Sequence, residues 1–272
     1  MSNFLCGRRD RGPGVIHSSV RAVGVVVPAH QEADLLPSCL AALDLAARLL
    51  PGIAVHLVVA ADACTDRTAD LAAAAGAVVV DVDLRNVGGA RRAGTLALLR
   101  RTTDLDPRTL WIATTDADTL VPPCWLSRQL RYAEAGWEAV VGTVTVTDWQ
   151  DYPPHSRGRY LERYAAGRAG AWHSHVHGAN LGLTAAAYLA VGGFAELPTG
   201  EDHALVAALE SAGRRVLRTT AVSVVTSARR SPRAPGGFGH LLAGLDSRRS
   251  GPREEPDLAE GRERRAGLGG RR

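Results

Sequence analysis

The sequence predicts an α/β fold: a mostly parallel sheet with helices on both faces, followed by a smaller and more mixed second half. Three observations lead there. Short runs of aliphatic and β-branched residues recur at 23–27, 55–60, 77–82 and 110–114, the pattern of strands buried on both faces. Stretches rich in Ala and Leu at helical spacing lie between them, at 34–50, 65–75 and 88–101. Strand and helix alternate roughly every thirty residues, as crossover connections in a parallel sheet require.

The first run, Val23-Gly24-Val25-Val26-Val27, is bounded by Pro28, and the helix over 65–75 ends at Gly76, a helix-stopping residue. The fourth run passes into Thr115-Asp116-Ala117-Asp118. Beyond it the pattern loosens. Residues 138–148 read as a strand and 151–172 as an aromatic, Arg-rich stretch. A further strand is expected over 176–184, then a helix to Val191 and the turn Gly192-Gly193. A helix over 201–213 and a strand over 216–225 complete the series. The expected organisation is a leader over 1–20, one domain over 21–230 divided near residue 120, and a Pro/Gly/Arg-rich tail over 231–272 without fixed structure.

Hydrophobic residues make up 46% of the 272 and aromatics 5%, so the core is aliphatic. The net charge of +4 sits in the ends: residues 1–22 carry +3 and 246–272 carry +2, leaving −1 for 23–245. A nucleic-acid binder needs a basic face on its folded domain, so no nucleic-acid partner is expected. The basic ends, or residues 151–172, are candidates for contact with an anionic membrane surface. Cys6, Cys39, Cys64 and Cys124 form no CxxC pair, which argues against a zinc framework or a disulfide scaffold and suits a reducing cytoplasm. The N-terminus has no apolar signal segment, and no apolar run reaches the roughly 18 residues a membrane span needs. A cytoplasmic protein, peripheral at most to the inner face of the membrane, is expected. The chain has no lysine, which removes P-loop and Schiff-base chemistry.

In open parallel sheets ligands bind beyond the carboxyl ends of the strands. The residues there are Pro28–Glu32, Asp62–Asp66, Arg85–Asn86 and Asp116–Asp118, and every one of these strand ends carries a carboxylate or an amide. Asp116 and Asp118, two apart after a strand, can share one divalent cation, since Mg2+ and Mn2+ prefer oxygen ligands completed by phosphates; a capping pair in a loop gives the same string. Glu201-Asp202 opens a helix, where acids are favoured for capping but where one can also serve as a general base. The run from Arg85 to Gly94 places glycines at a helix start, where backbone can approach a phosphate, but it is not GxGxxG. His173, His175 and His177 would share one face of a strand. They read as a metal trio, as lining for an acceptor pocket, or as partly exposed side chains.

In this order and spacing the pieces resemble the family-2 glycosyltransferases of GT-A fold, from about Val23 to Val225. Pro28-Ala29-His30-Gln31-Glu32 resembles the family's first-strand motif, which flanks base and ribose. Asp62-Ala63-Cys64-Thr65-Asp66-Arg67-Thr68 resembles Asp-Gly-Ser-Thr-Asp-Gly-Thr, departing at Ala63, Cys64 and Arg67. Asn86, Gly88, Arg91 and Gly94 resemble the Asn-x-Gly…Arg-Asn-x-Gly stretch, with Arg92 where Asn is usual. Asp116-Ala117-Asp118 resembles the metal and donor motif. Gly178-Ala179-Asn180 with Gly192-Gly193-Phe194 resembles the acceptor side, and Glu201-Asp202 the pair that supplies the base.

The resemblance implies a nucleotide-sugar half over 21–120 and an acceptor half over 121–230. It implies donor contacts from Pro28, Ala29, Glu32, Asp62, Asn86, Gly88, Arg91, Asp116 and Asp118, with Mg2+ or Mn2+ on Asp118 and Asp116. Arg91, or the pair Arg229 and Arg230, would add positive charge near the diphosphate. His177, Gly178 and Asn180 would lie on the acceptor side, and Asp202, with Glu201 second, would be the base. The implied activity moves one sugar from a UDP-, GDP- or TDP-sugar to a small-molecule, lipid or glycan acceptor, with inversion. The Gln-x-x-Arg-Trp motif of polymer synthases is missing, so single-sugar transfer is expected rather than processive synthesis. A retaining transferase, and a binding protein that keeps the fold without turnover, are the alternatives.

Overall fold

A computed structural model describes residues 19–229 and residue 242. The expected tail, and all of the expected leader except residues 19 and 20, otherwise lie outside the described residues. Val20 is buried in the core, so the domain begins slightly earlier than the composition suggests.

Strand β1 (Ala22–Ala29) is buried along its whole length. It is followed by α1 (Leu36–Arg48), β2 (Ala54–Asp62), α2 (Thr68–Ala74), β3 (Val78–Val82), α3 (Val87–Arg101) and β4 (Leu110–Thr114). The second half runs β5 (Thr119–Leu120), α4 (Trp125–Glu134), β6 (Ala139–Val146), α5 (Pro154–Ala166), β7 (Arg168–Ala169) and β8 (Trp172–His173). A single 3-10 turn at Gly178–Asn180 leads into β9 (Leu181–Thr184), α6 (Ala185–Ala190), α7 (Glu201–Ser211) and β10 (Val216–Thr226).

Eight strands form one sheet in the order β3-β2-β1-β4-β9-β6-β10-β5. The pairs β1–β2, β1–β4, β2–β3 and β6–β10 are parallel, while β9 runs antiparallel between β4 and β6. The carboxyl ends of β1, β4, β6 and β10 therefore open on one edge of the molecule. One face of the sheet packs on α1 and α4 through Leu36, Leu40, Leu43, Trp125, Leu126 and Leu130. The other packs on α3, α6 and α7 through Leu98, Tyr188, Leu205 and Leu209. In α1 the buried positions 36, 39, 40, 43 and 46 form the i, i+3, i+4, i+7 stripe of a helix lying on a sheet.

The mostly parallel α/β architecture matches the expectation, and three details differ. The strand expected over 176–184 begins only at Leu181, because the Asn180 N–H donates back to the His177 carbonyl at 2.9 Å and closes the 3-10 turn. Helix α4 carries polar Ser, Arg and Gln between its few apolar residues, so its period is faint in sequence; buried Gln129 accepts from Trp111 Nε1 at 2.8 Å. Helix α5 turns Ser156 and Tyr160 inward and forms a separate small cluster with Val146, Tyr152 and Leu242. Gly182 of β9 faces Gln129 and Trp111, and a Cβ there would overlap the Gln129 amide oxygen. Gly182→Ala is expected to lower unfolding free energy by about 1–3 kcal/mol, the usual cost of overpacking, in urea denaturation. An unchanged midpoint would show that β9 shifts freely.

Candidate active site

The first three parallel strands end in tight turns that build one wall of the cleft. Each turn contains a non-glycine residue at positive φ: Gln31 (55°), Ala63 (51°) and Arg85 (50°). That conformation costs about 1–2 kcal/mol for a residue with a Cβ, and side chains hold it in place. The Gln31 amide oxygen accepts from the N–H groups of Thr65 and Asp66 at 2.9 and 3.1 Å. Thr68 Oγ1 accepts from Glu32 N at 2.8 Å, and Asp66 accepts from Ala33 N at 3.1 Å. The motif keeps its turn at Ala63, where the resembled family has glycine.

Asp62 lies below the pocket surface. Its carboxylate accepts from Leu84 N, Arg85 N and Asn86 N at 2.7–2.8 Å, so it shapes the wall through the 84–86 backbone. Asn86 caps α3, accepting from Gly89 N at 3.0 Å, and donates to Glu196 O at 3.1 Å. Gly88 is closely covered by the backbone of Ala195 and Leu197, leaving no room for a Cβ. Arg92 donates to the carbonyls of Gly192 and Phe194 at 2.9 and 3.1 Å. The residue that departs from the resembled pattern thus anchors the Gly-Gly-Phe turn. Pro28 and Ala29 are buried at the end of β1.

Arg91 is the centre of the site. It is 3% exposed, and its guanidinium donates to Glu201 from one nitrogen and to Asp116 from the other. It lies flat against Gly178, where any Cβ would collide with it. The start of α7, the end of β4 and the 178–180 turn therefore meet on one cation. Thr114 Oγ1 strengthens the junction by donating to Gly178 O at 2.6 Å. The contact also separates the two acids of Glu201-Asp202. Glu201 is buried and paired, whereas Asp202 is only partly buried and accepts from Gly178 N at 2.7 Å.

Asn180 is not open to the cleft. It is fully buried, donating to Thr143 O and Val222 O and accepting from Trp125 Nε1 at 2.8–3.1 Å. Its expected place on the acceptor side becomes that of a tie between β6, β10 and α4, because all of its amide groups are engaged there. His177 does sit beside Asp202, in a stack of rings. Tyr164 lies parallel to His175 at 3.8 Å and to His177 at 5.9 Å, and His173 and His175 are 6.0 Å apart. Burial lowers His177 to a pKa of about 4 against the pull of Asp202, so its imidazole is neutral at physiological pH. His173 bonds to Val141 O and His175 O. The three imidazoles share a face, as expected, and they form a stack rather than a metal trio.

Asp118, two residues beyond Asp116, pairs with a second guanidinium. Arg229 joins Asp118 at 2.5 Å and Glu32 at 2.8 Å; Arg230 lies outside the described residues. Thr226 Oγ1 is 3.3 Å from the Asp118 carboxylate and 3.0 Å from Thr119 Oγ1. Glu32, Asp116, Asp118, Glu201 and Asp202 thus face two guanidiniums, an excess of negative charge. The Cys39 thiol beneath is pushed up to about 12, by burial first and then by the charges of Asp118 and Asp116. Asp116 is raised by its depth in the cleft and by Asp118 and Asp202, with Arg91 opposing. Among the described residues no three His, Cys, Asp or Glu side chains form a metal cage. Asp116 and Asp118, each paired with a guanidinium, offer the carboxylate oxygens that a hard divalent cation prefers.

The model of glycosyl transferase family 2 matches residues 24–185, which include every strand-end turn described above. The chain belongs to glycosyl transferase family 2. It is therefore a glycosyltransferase, and its fold is of GT-A type. Among solved structures, the mannosyltransferase PcManGT from Pyrobaculum calidifontis, in complex with GDP-Man and Mn2+, is 18% identical over 81% of this chain and 68% of that one, with TM-score 0.56. Glucosyl-3-phosphoglycerate synthase from Mycobacterium tuberculosis, with Mn2+, UDP and phosphoglyceric acid, is 18% identical over 78% and 72%, with TM-score 0.52. S. aureus TarS 1-349 with UDP-GlcNAc is 14% identical over 82% of this chain, with TM-score 0.57. This chain spans 60% to 65% of the length of the TarS 1-349 chains. Comparison with curated proteins gives no match. The family match stops before Glu201 and Asp202, so their role rests on the geometry around Arg91. Among the described residues no helix is long and apolar enough to cross a membrane.

Arg91→Met leaves the buried Glu201 carboxylate without its cation. Unfolding free energy is expected to fall by about 3–5 kcal/mol, and less so in mildly acidic buffer, where the carboxyls can take up protons. A cost under about 1 kcal/mol at neutral pH would show that the two ion pairs are not formed.

Proposed function

We propose that the protein transfers a single sugar from a nucleotide-diphosphate sugar to an acceptor hydroxyl, with Asp202 as base and inversion at the sugar carbon. One observation carries the reading. Arg91 holds Asp116, on the donor side of the cleft, and Glu201, the neighbour of Asp202, on a single guanidinium. This contact between distant parts of the chain supports the reading, because displacement chemistry needs its donor and base residues held together.

In this reading the nucleoside lies along the turns after β1, β2 and β3, and its diphosphate lies over Asp116 and Asp118. Asp118, with Asp116, would hold Mg2+ or Mn2+. A divalent cation there offsets the charge that builds on the departing diphosphate. Arg229, paired with Asp118 and Glu32, would supply further positive charge at the same point. Asp202 takes the proton of the acceptor hydroxyl as that oxygen bonds to the anomeric carbon and the bond from carbon to phosphate oxygen breaks. The Gly178 N–H, which donates to Asp202 at 2.7 Å, orients its carboxylate, and neutral His177 beside it adds no competing positive charge. The base could be uracil, guanine or thymine. The similar structures, solved with UDP, GDP-Man and UDP-GlcNAc, support a nucleotide sugar without choosing among them. A near-neutral domain, −1 over residues 23–245, supports a reading without a nucleic-acid partner, and the same reading places the enzyme in the cytoplasm, peripheral at most to the inner face of the membrane.

Thermal melting with UDP, GDP and TDP, each with and without Mn2+, tests the donor half. One nucleotide is expected to raise the melting temperature only with the metal, and Asp118→Ala is expected to abolish the shift. No shift with any nucleotide would contradict the proposal, as would a shift that persists in Asp118→Ala. Retention of the anomeric configuration in the product would remove Asp202 from the role of base.

A further inference from the structure

Strands β6 and β10 run side by side, with Val146 in register with Thr226. Thr226 in turn lies against Asp118. The chain leaving β6 therefore starts one strand away from the donor carboxylates. Its next residues, Thr147, Asp148, Trp149 and Gln150, join Arg157 of α5 to line a shallow, wide-mouthed cavity of about 530 Å³ that is largely open to solvent. None of these residues belongs to the donor wall or to the Arg91 cluster.

Trp149 is the fixed part of this cavity. Its indole N–H donates to Val146 O at 3.1 Å. Its ring meets Tyr152 edge-on at 5.5 Å and Tyr160 at 5.3 Å. Both tyrosines are anchored in turn, Tyr160 to Val144 O at 3.2 Å and Tyr152 to Arg229 O at 3.3 Å. The other four lining residues, a hydroxyl, a carboxylate, an amide and a guanidinium, are exposed.

This combination selects a chemistry. A pyranose ring has an apolar C–H face, which packs on an aromatic ring, and hydroxyls that need both donors and acceptors around them. A phosphorylated acid would need surplus positive charge, whereas Asp148 and Arg157 balance. An acyl chain would need an apolar wall, whereas four of the five lining residues are polar. We propose that this cavity is an acceptor subsite, and that it takes a carbohydrate, the end sugar of a glycoside or glycan, stacked on Trp149. The inference rests on the transferase reading above, and it makes residues 147–157, rather than Asn180, the acceptor-recognising segment.

Saturation-transfer NMR of the full chain with a panel of methyl glycosides, and inorganic phosphate as competitor, tests this. At least one glycoside is expected to receive saturation at its ring protons. Trp149→Ala is expected to weaken it about five- to tenfold, with partial recovery in Trp149→Phe. The exposed substitutions Asp148→Asn and Arg157→Gln are expected to weaken it as well, and they keep the test open if Trp149→Ala does not fold. Absence of binding by every glycoside overturns the proposal. Binding indifferent to Trp149, Asp148 and Arg157 overturns it too, as does displacement by phosphate. A nucleotide-dependent melting shift that survives any of these outcomes leaves the donor reading standing, so the two failures are distinguishable.

Discussion

The contact on which this site depends is the buried guanidinium of Arg91 between Asp116 and Glu201. Removing one partner of a buried ion pair is costly because the charge left behind has no water. Here one cation serves two carboxylates that come from opposite halves of the chain. The sheet supplies the setting: β9 enters antiparallel between β4 and β6 and brings the 178–180 turn directly under the guanidinium. Gly178 has no Cβ, so the stack of Gly178, Arg91 and the two acids can close. Asp202 then points its carboxylate at the same turn from the partly open side.

A second cation, Arg229, performs the matching task at Asp118 and Glu32. Of the four carboxylates these two cations hold, Glu201 is the most buried and Asp116 the most open to solvent. Burial raises the Cys39 thiol first, and the charges of Asp118 and Asp116 add to the rise. An excess of carboxylate at the carboxyl edge of a parallel sheet suits a cation and a phosphate-bearing ligand arriving together, and it explains why so many acids are gathered where a purely structural sheet would need none.

Much of this was legible in the sequence, for physical reasons. The strands β1 to β4 are short aliphatic runs because both of their faces are covered, and such runs stand out against Ala-rich helices. The acids that follow them mark the strand ends. What could not be read is how the polar residues divide their work. Asp62, Asn86 and Asn180 look like ligand contacts in a string, but they bond to backbone groups 22 to 110 residues away in the chain. Arg92 looked like a departure, and its role as anchor of the Gly192–Phe194 turn depends on a packing that no local pattern encodes. Helix α4 and the aromatic cluster under α5 were also hidden, since their faces are half polar and their partners come from distant strands.

The most direct test is turnover of UDP-Glc, GDP-Man and UDP-GlcNAc with Mn2+ and a mixture of methyl glycosides, read as release of nucleoside diphosphate, in the wild type and in Asp202→Asn. The account predicts that one donor is consumed by the wild type, and that Asp202→Asn loses about a hundredfold or more in rate while its nucleotide-dependent melting shift is unchanged. Full turnover in Asp202→Asn, or a shift lost together with turnover, would contradict the assignment of the base on the open side of the Arg91 junction.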